Sequence, residues 1–186
     1  MPEFAKRVAS MQAAADVTRY LFETMTDPET ISFGGGAPAR EALPVELVHQ
    51  IASEVLTREK RGAQALQYGN PLGIPDLRQA VCDHLLVPKG LQARSEQILI
   101  VSGGIESMNL VSQLYLEPGD VVLVESPTFV HAVQVFNLFE ARCIACETDD
   151  HGLVLEDVKA KIKQYSPRMI YVIPTFQNPS GRTLSL

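Results

Sequence analysis

The 186 residues contain no tryptophan, three cysteines and fewer cations than anions. Sixteen Lys and Arg stand against 22 Asp and Glu, a net charge of −6. With no basic stripe to neutralise a phosphate backbone, nucleic acid is not an expected partner. Cys82, Cys143 and Cys146 are odd in number and too few for a disulfide framework, which fits a reducing compartment. No apolar run approaches the roughly 18–20 residues that span a bilayer. Nor does a basic-then-apolar leader open the chain, so the expected setting is the cytoplasm, with no membrane partner. What is present is ordinary globular usage: 46% hydrophobic and 20% charged residues, with 12 Gly and 12 Pro. That composition excludes disorder and fibrous repeats, and the length suits one compact domain with a real core and an added arm.

Apolar residues Phe4, Val8, Met11, Ala15, Leu21, Phe22 and Met25 recur at mostly three- and four-residue steps and predict an amphipathic helix over 3–25, ended by Asp27-Pro28. The run Gly34-Gly35-Gly36-Ala37-Pro38 has backbone freedom for close approach to a ligand. Pro44 opens a second predicted helix with Leu47, Val48, Ile51 and Val55 inward, and Pro75 opens a third reaching Leu85. Continuous apolar runs at Ile98–Val101, Val121–Val124 and Met169–Val172 predict strands buried on both faces, with a weaker run at Cys143–Ala145. Helical stretches near 105–116, 128–139 and 155–164 alternate with them. The alternation predicts an α/β fold, a three-layer α/β/α sandwich around a mostly parallel sheet, with ligands outside the carboxyl ends of the strands.

Three segments follow predicted strands. Ser102-Gly103-Gly104-Ile105-Glu106 leads into a helix, where backbone amides and the helix dipole suit a phosphate, although a plain tight turn is the alternative and the dinucleotide pattern G-x-G-x-x-G is absent. Phe129, in Pro127-Thr128-Phe129, offers a flat ring either to a heteroaromatic ligand or to the core. Asn178, in Gln177-Asn178-Pro179-Ser180-Gly181, offers an amide to the same crevice, in a sequence that is also good turn chemistry. Other candidates have plainer readings. Cys143 and Cys146 lack a second pair, and a strand points them to opposite faces, so no metal site is expected. Asp149-Asp150-His151-Gly152 reads as a solvated turn, His131 as a helix-surface histidine, and Arg58-Glu59-Lys60-Arg61 as an exposed helix end.

In order, GGGAP at 34–38, YGNPLGIPDLR at 68–78, SGGIES at 102–107, EPGDVVLVESPTF at 117–129 and PTFQNPSG at 174–181 resemble the pyridoxal-phosphate-dependent class I/II aminotransferases of fold type I. The QNPSG wording is most similar to the branch of aminoadipate, kynurenine and broad-specificity amino-acid aminotransferases, and to the related domain of fused transcription regulators. No winged-helix segment precedes it here, which favours the enzyme branch. The resemblance implies that the amides of Gly103, Gly104 and Ile105 hold the phosphate of pyridoxal 5′-phosphate, although Ile105 stands where a polar residue is usual. It implies that Phe129 stacks on the pyridine ring and that Asn178 bonds the phenolic oxygen. It further implies that Tyr68 reaches the phosphate in a neighbouring subunit and that Gly36 lies against the substrate carboxylate.

The family's Schiff-base lysine, its pyridine-pairing aspartate and its carboxylate-clamping arginine all follow the Asn-Pro-x-Gly turn, and eight residues follow Asn178 here. None of Lys6, Lys60, Lys89, Lys159, Lys161 and Lys163 lies in a Ser-x-Ser-Lys context. The resemblance therefore implies the N-terminal half of an aminotransferase acting on amino acid and 2-oxo acid substrates, catalytically incomplete alone, with no catalytic residue of its own. An arm and small-domain part is expected over 1–60 and the first part of the cofactor-binding large domain over 61–186. A homodimer, or association with a complementary C-terminal half, is expected. The alternatives are a non-catalytic split-gene product that acts only by association, and an unrelated phosphate-binding module.

Overall fold

A computed structural model describes residues 38–57 and 59–185, with backbone alone at 59–61, and nearer the start residues 3–5, 7–8, 12, 16, 19–20, 23–24 and 29–31. The chain groups into two compact units, Ile31–Val101 and Ser102–Leu186 with Met1–Thr30. Of the helix predicted over 3–25, residues 7, 8, 12, 16, 19, 20, 23 and 24 are helical, and the rest lies outside the described residues.

In the first unit, helices α1 (Val45–Thr57) and α3 (Pro75–Val81) form where Pro44, Pro75 and the apolar periodicity predict them, and a further helix, α2 (Glu59–Ala65), that no apolar period predicts lies between them. After α3 the helix widens into a π turn at Cys82–Leu86, tightens at Val87–Lys89 and stops at Gly90. The predicted inward face of α1 is not buried: Leu47 and Val48 are exposed, and Ile51 keeps 52% of its surface in solvent. A helix closes its hydrogen bonds internally, so its apolar period alone does not specify what covers that face.

The second unit has helices α4 (Gly104–Tyr115), α5 (Val130–Leu138) and α6 (Leu155–Tyr165), and strands β1 (Val121–Glu125), β2 (Arg142–Cys146) and β5 (Met169–Tyr171). These strands form a parallel sheet in the order β2-β1-β5, with Val121 opposite Arg142 and Val122 opposite Met169. A short antiparallel hairpin, β3 (Thr148–Asp149) and β4 (Gly152–Leu153), leads into α6. On one face Val122 and Val124 pack with Ala132 and Phe136 of α5, with Leu116 and with Met108 of α4. On the other, Val121 and Leu123 pack with Cys146 and with Val158 and Tyr165 of α6. The two helical layers make the predicted three-layer α/β/α arrangement. Among the described residues, no helix is long and apolar enough to cross a membrane.

Two strand expectations fail. Ile98–Val101 is in no ladder, and the Ile100 N–H donates to the Leu72 carbonyl at 3.1 Å within the helical unit. Burial on both faces holds only for the central strand β1, because β2 and β5 each have one neighbour and remain partly open. Cys143 and Cys146 do point to opposite faces, one in each core cluster.

Candidate functional site

The start of β1, the start of β5 and the end of α4 meet at one edge of the sheet. The Arg168 N–H donates to the Val121 carbonyl at 2.7 Å, and Arg168 Nε donates to the Tyr115 carbonyl at 3.1 Å. A 12-residue helix is about 18 Å long, and a five-residue strand about 17 Å. Running back along the sheet from that shared edge, α4 therefore brings its N-terminus to the opposite edge, where the strands end. Its N-cap is Gly103, at φ 110°, a conformation that disfavours any residue with a Cβ. No side chain caps this end, and the first amide to find a helical acceptor is that of Ser107, bonded to the Gly103 carbonyl at 3.2 Å. The first-turn amides of a helix have no intrahelical acceptor and attract an anion. A Cβ at Gly103 or Gly104 would meet nothing within 4 Å, so the turn faces open space, and Ile105 is 45% exposed beside it. The chemistry suits a phosphate. The Glu106 carboxylate accepts the Ser102 N–H at the rim of the same turn.

Phe129 directly precedes α5, beyond the carboxyl end of β1. Its ring is half-buried against the cluster of Val122, Val124, Ala132 and Phe136. His131 is not a free surface histidine. Helical side chains lean toward the N-terminus, and its ring lies 5.1 Å from that of Phe129, tilted by 47°. His131 Nδ1 and Thr128 Oγ1 are buried with no hydrogen-bond partner. Asn178 is exposed in the loop after β5, and the peptides Ser126–Pro127 and Asn178–Pro179 are both cis.

Buried Gln177 links these two loops. Its Nε2 donates to the Pro127 carbonyl at 2.8 Å and to Glu125 Oε2 at 3.4 Å, while its Oε1 accepts the Ser180 N–H at 2.9 Å. Glu125 is itself buried and takes the Ile173 N–H at 2.9 Å. Neither residue had an assigned role in the sequence reading. The available signals were a carboxylate closing the apolar run VVLVE and an amide inside QNPSG. Burial raises the Tyr171 phenol above its ordinary value, and the nearby Glu125 charge adds to the rise.

Gly103, Gly104, Ile105, Phe129 and Asn178 thus all belong to one unit and to one edge of its sheet. Tyr68 is in the other unit, where its side chain is 99% exposed. Gly36 lies outside the described residues.

Residues 26–186 match the family model described as aminotransferase class I and II. The chain belongs to that family. It is 33% identical over 187 residues to aromatic-amino-acid aminotransferase 1 of Thermococcus litoralis, covering 98% of this chain and 44% of the relative. It is 35% identical over 178 residues to the 2-aminoadipate transaminase of Thermus thermophilus, covering 96% of this chain and 42% of the relative. The chain therefore spans less than half the length of these curated relatives. The crystal structure of Pyrococcus horikoshii kynurenine aminotransferase, in complex with PMP, superposes with a TM-score of 0.86 at 34% identity, over 98% of this chain and 45% of that one. The architecture is that of the fold type I aminotransferases, and the ordered motifs that resemble the family lie within the matched span.

Proposed function

We propose that this chain supplies the phosphate and ring contacts of a pyridoxal-phosphate-dependent aminotransferase, which moves an amino group between an amino acid and a 2-oxo acid. The observation that carries this reading is the uncapped glycine turn at the start of α4, which shares the carboxyl edge with the Phe129 and Asn178 loops, in a member of this family. In this reading the amides of Gly103, Gly104 and Ile105 hold the phosphate. Phe129 covers the pyridine face, and Asn178 donates to the phenolic oxygen. Tyr68 serves the cofactor of a neighbouring subunit, and Gly36 lies against the substrate carboxylate. When bound, the cofactor supplies an electron sink for bonds broken at the amino-acid α-carbon. This chain's residues bind and orient it.

No lysine of the chain is assigned to the cofactor carbonyl. Lys159 and Lys161 sit on α6 paired with Glu156 and Asp157. The chain alone is therefore read as catalytically incomplete, and an active protein as a homodimer or an association with a complementary C-terminal half. The exposed apolar residues of α1 support association. Residues 1–60 serve as arm and small-domain part, and 61–186 as the first part of the large domain. Three unpaired thiols fit a cytoplasmic setting.

The test is titration of the full chain with pyridoxal phosphate, followed by borohydride reduction and intact-mass measurement. Reversible binding without a stoichiometric reduced adduct is expected. A single fully labelled lysine would overturn the incomplete reading, and absence of binding would overturn the cofactor assignment. Co-expression with a C-terminal half carrying the missing lysine, aspartate and arginine is expected to restore transamination.

A further inference from the structure

We infer that Gln177, acting with Glu125, is a positioning residue that sets the Asn178 amide and the Phe129 ring at a fixed spacing; this rests on the proposed cofactor site. Gln177 stands next to Asn178 in sequence. Its side chain turns away from the open edge and is 6% exposed. Both of its amide protons go to the end of β1 and the loop beyond it: Pro127, two residues before Phe129, takes one and Glu125 the other. Its oxygen takes the Ser180 N–H, which closes the turn that carries Asn178. The backbone around it is closed as well, with the Gln177 N–H on the Arg182 carbonyl at 2.7 Å and the Gly181 N–H on the Gln177 carbonyl at 2.5 Å. The opposite amide orientation would set an oxygen against two acceptors and an NH₂ against an N–H, so the network admits one assignment.

The space enclosed by Glu125, Thr148, Ile173, Gln177, Ser180 and Arg182 is about 10 Å³. That is room for no more than a single water. This rules out a ligand site of its own and leaves an internal strut between two loops. Within those loops, the exposed Asn178 and the half-buried Phe129 are what reach the edge. Without the strut, the turn keeps its own backbone bonds but loses its tie to β1, so the spacing between amide and ring is no longer fixed.

The experiment uses the full chain with pyridoxal phosphate and inorganic phosphate as probes, and compares Gln177→Leu and Gln177→Glu with the parent. Glutamate keeps the side-chain length, and leucine stops one atom short. Leucine removes every side-chain bond, and glutamate sets a carboxylate against Glu125 and the Pro127 carbonyl. Both are expected to weaken pyridoxal phosphate about tenfold, the loss of roughly one net hydrogen bond, and to leave competition by inorganic phosphate unchanged. Adding Asn178→Ala is expected to weaken the Gln177→Leu protein by less than it weakens the parent, because the amide is already misplaced. Hydrogen exchange at the Ser180 amide, measured without cofactor, should accelerate in Gln177→Leu. An unchanged ratio of the two ligand affinities with additive substitutions, or unchanged Ser180 exchange, would overturn the inference. Faster Ser180 exchange in Gln177→Leu, together with a parent chain that binds no pyridoxal phosphate, would support the strut and overturn the cofactor reading instead. If Gln177→Leu fails to fold, Gln177→Glu carries the same affinity comparison.

Discussion

Val122 and Ile51 are both β-branched residues at regular positions, yet solvent reaches none of the first and half of the second. Val122 lies in the middle strand of a sheet, and a strand takes its backbone partners from other segments. Forming β1 therefore requires β2 and β5 beside it, and the crossovers that connect parallel strands bring α4, α5 and α6 over both faces. Ile51 lies on α1, whose hydrogen bonds are all its own. Secondary structure in the sheet unit implies a core. In the helical unit it does not.

The largest expected effect lies in that contrast. Leu123→Ala, at a fully buried position, should destabilise by about 2–5 kcal/mol in urea unfolding. Ile51→Ala should change stability by no more than about 0.5 kcal/mol. Similar costs at the two sites would show that the α1 face is covered in solution. Next is the edge of the sheet unit, where Phe129→Ala should weaken pyridoxal phosphate binding about tenfold or more, given about 1–3 kcal/mol for stacking and ring burial. Equal affinities in a titration would make the ring a core residue and nothing more.

A smaller effect separates two adjacent glycines. Gly103→Ala forces a side chain to positive φ and should cost about 1–2 kcal/mol. Gly104→Ala, inside the helix and facing open space, should be neutral or stabilise by about 0.4–1 kcal/mol. Thermal melts of the pair would expose a wrong turn geometry if the order reversed. Burial also raises the thiols of Cys143 and Cys146 above their ordinary values. Their alkylation in the folded protein should stay slow near pH 8.5, the midpoint of an ordinary thiol, and rise at higher pH. Reaction at Cys143 as fast as in urea would mean that β2 does not hold its place in the sheet.

The smallest expected effect is at the start of α6. Asp157 accepts Lys161 Nζ at 2.6 Å and the Glu147 N–H at 2.7 Å, and these bonds hold its carboxyl below the ordinary range. A lowered folded value stabilises the protein above the ordinary carboxylate range, and that contribution is lost as pH falls through the lowered value. For Lys161 the hydrogen bond to Asp157 raises the ammonium, so its contribution is complete below the ordinary lysine value and is lost as pH rises through the raised one. Asp157→Asn should therefore flatten the acid limb of a stability-against-pH curve. An unchanged limb would show that the pair is not populated.

The sequence alone was enough to determine the alternation of elements over 104–171, the parallel sheet and the three loops at its carboxyl edge. Apolar runs and periods set the order of strands and helices there, while burial on both faces is confined to β1, the strand with neighbours on both edges. The tertiary structure decided where a plausible run finds no neighbour. Ile98–Val101 has the composition of a buried strand but no ladder, since a strand takes its partners from other segments and the Ile100 N–H goes instead to the Leu72 carbonyl. Leu47, Val48 and Ile51 have a helical period but stay about half-exposed, since periodicity fixes which face is apolar and says nothing about what meets it. The Gln177 strut also lay beyond local pattern. Its partners, Glu125 and Pro127, stand about fifty residues away in sequence, and only the closed parallel sheet brings those loop ends within hydrogen-bonding distance.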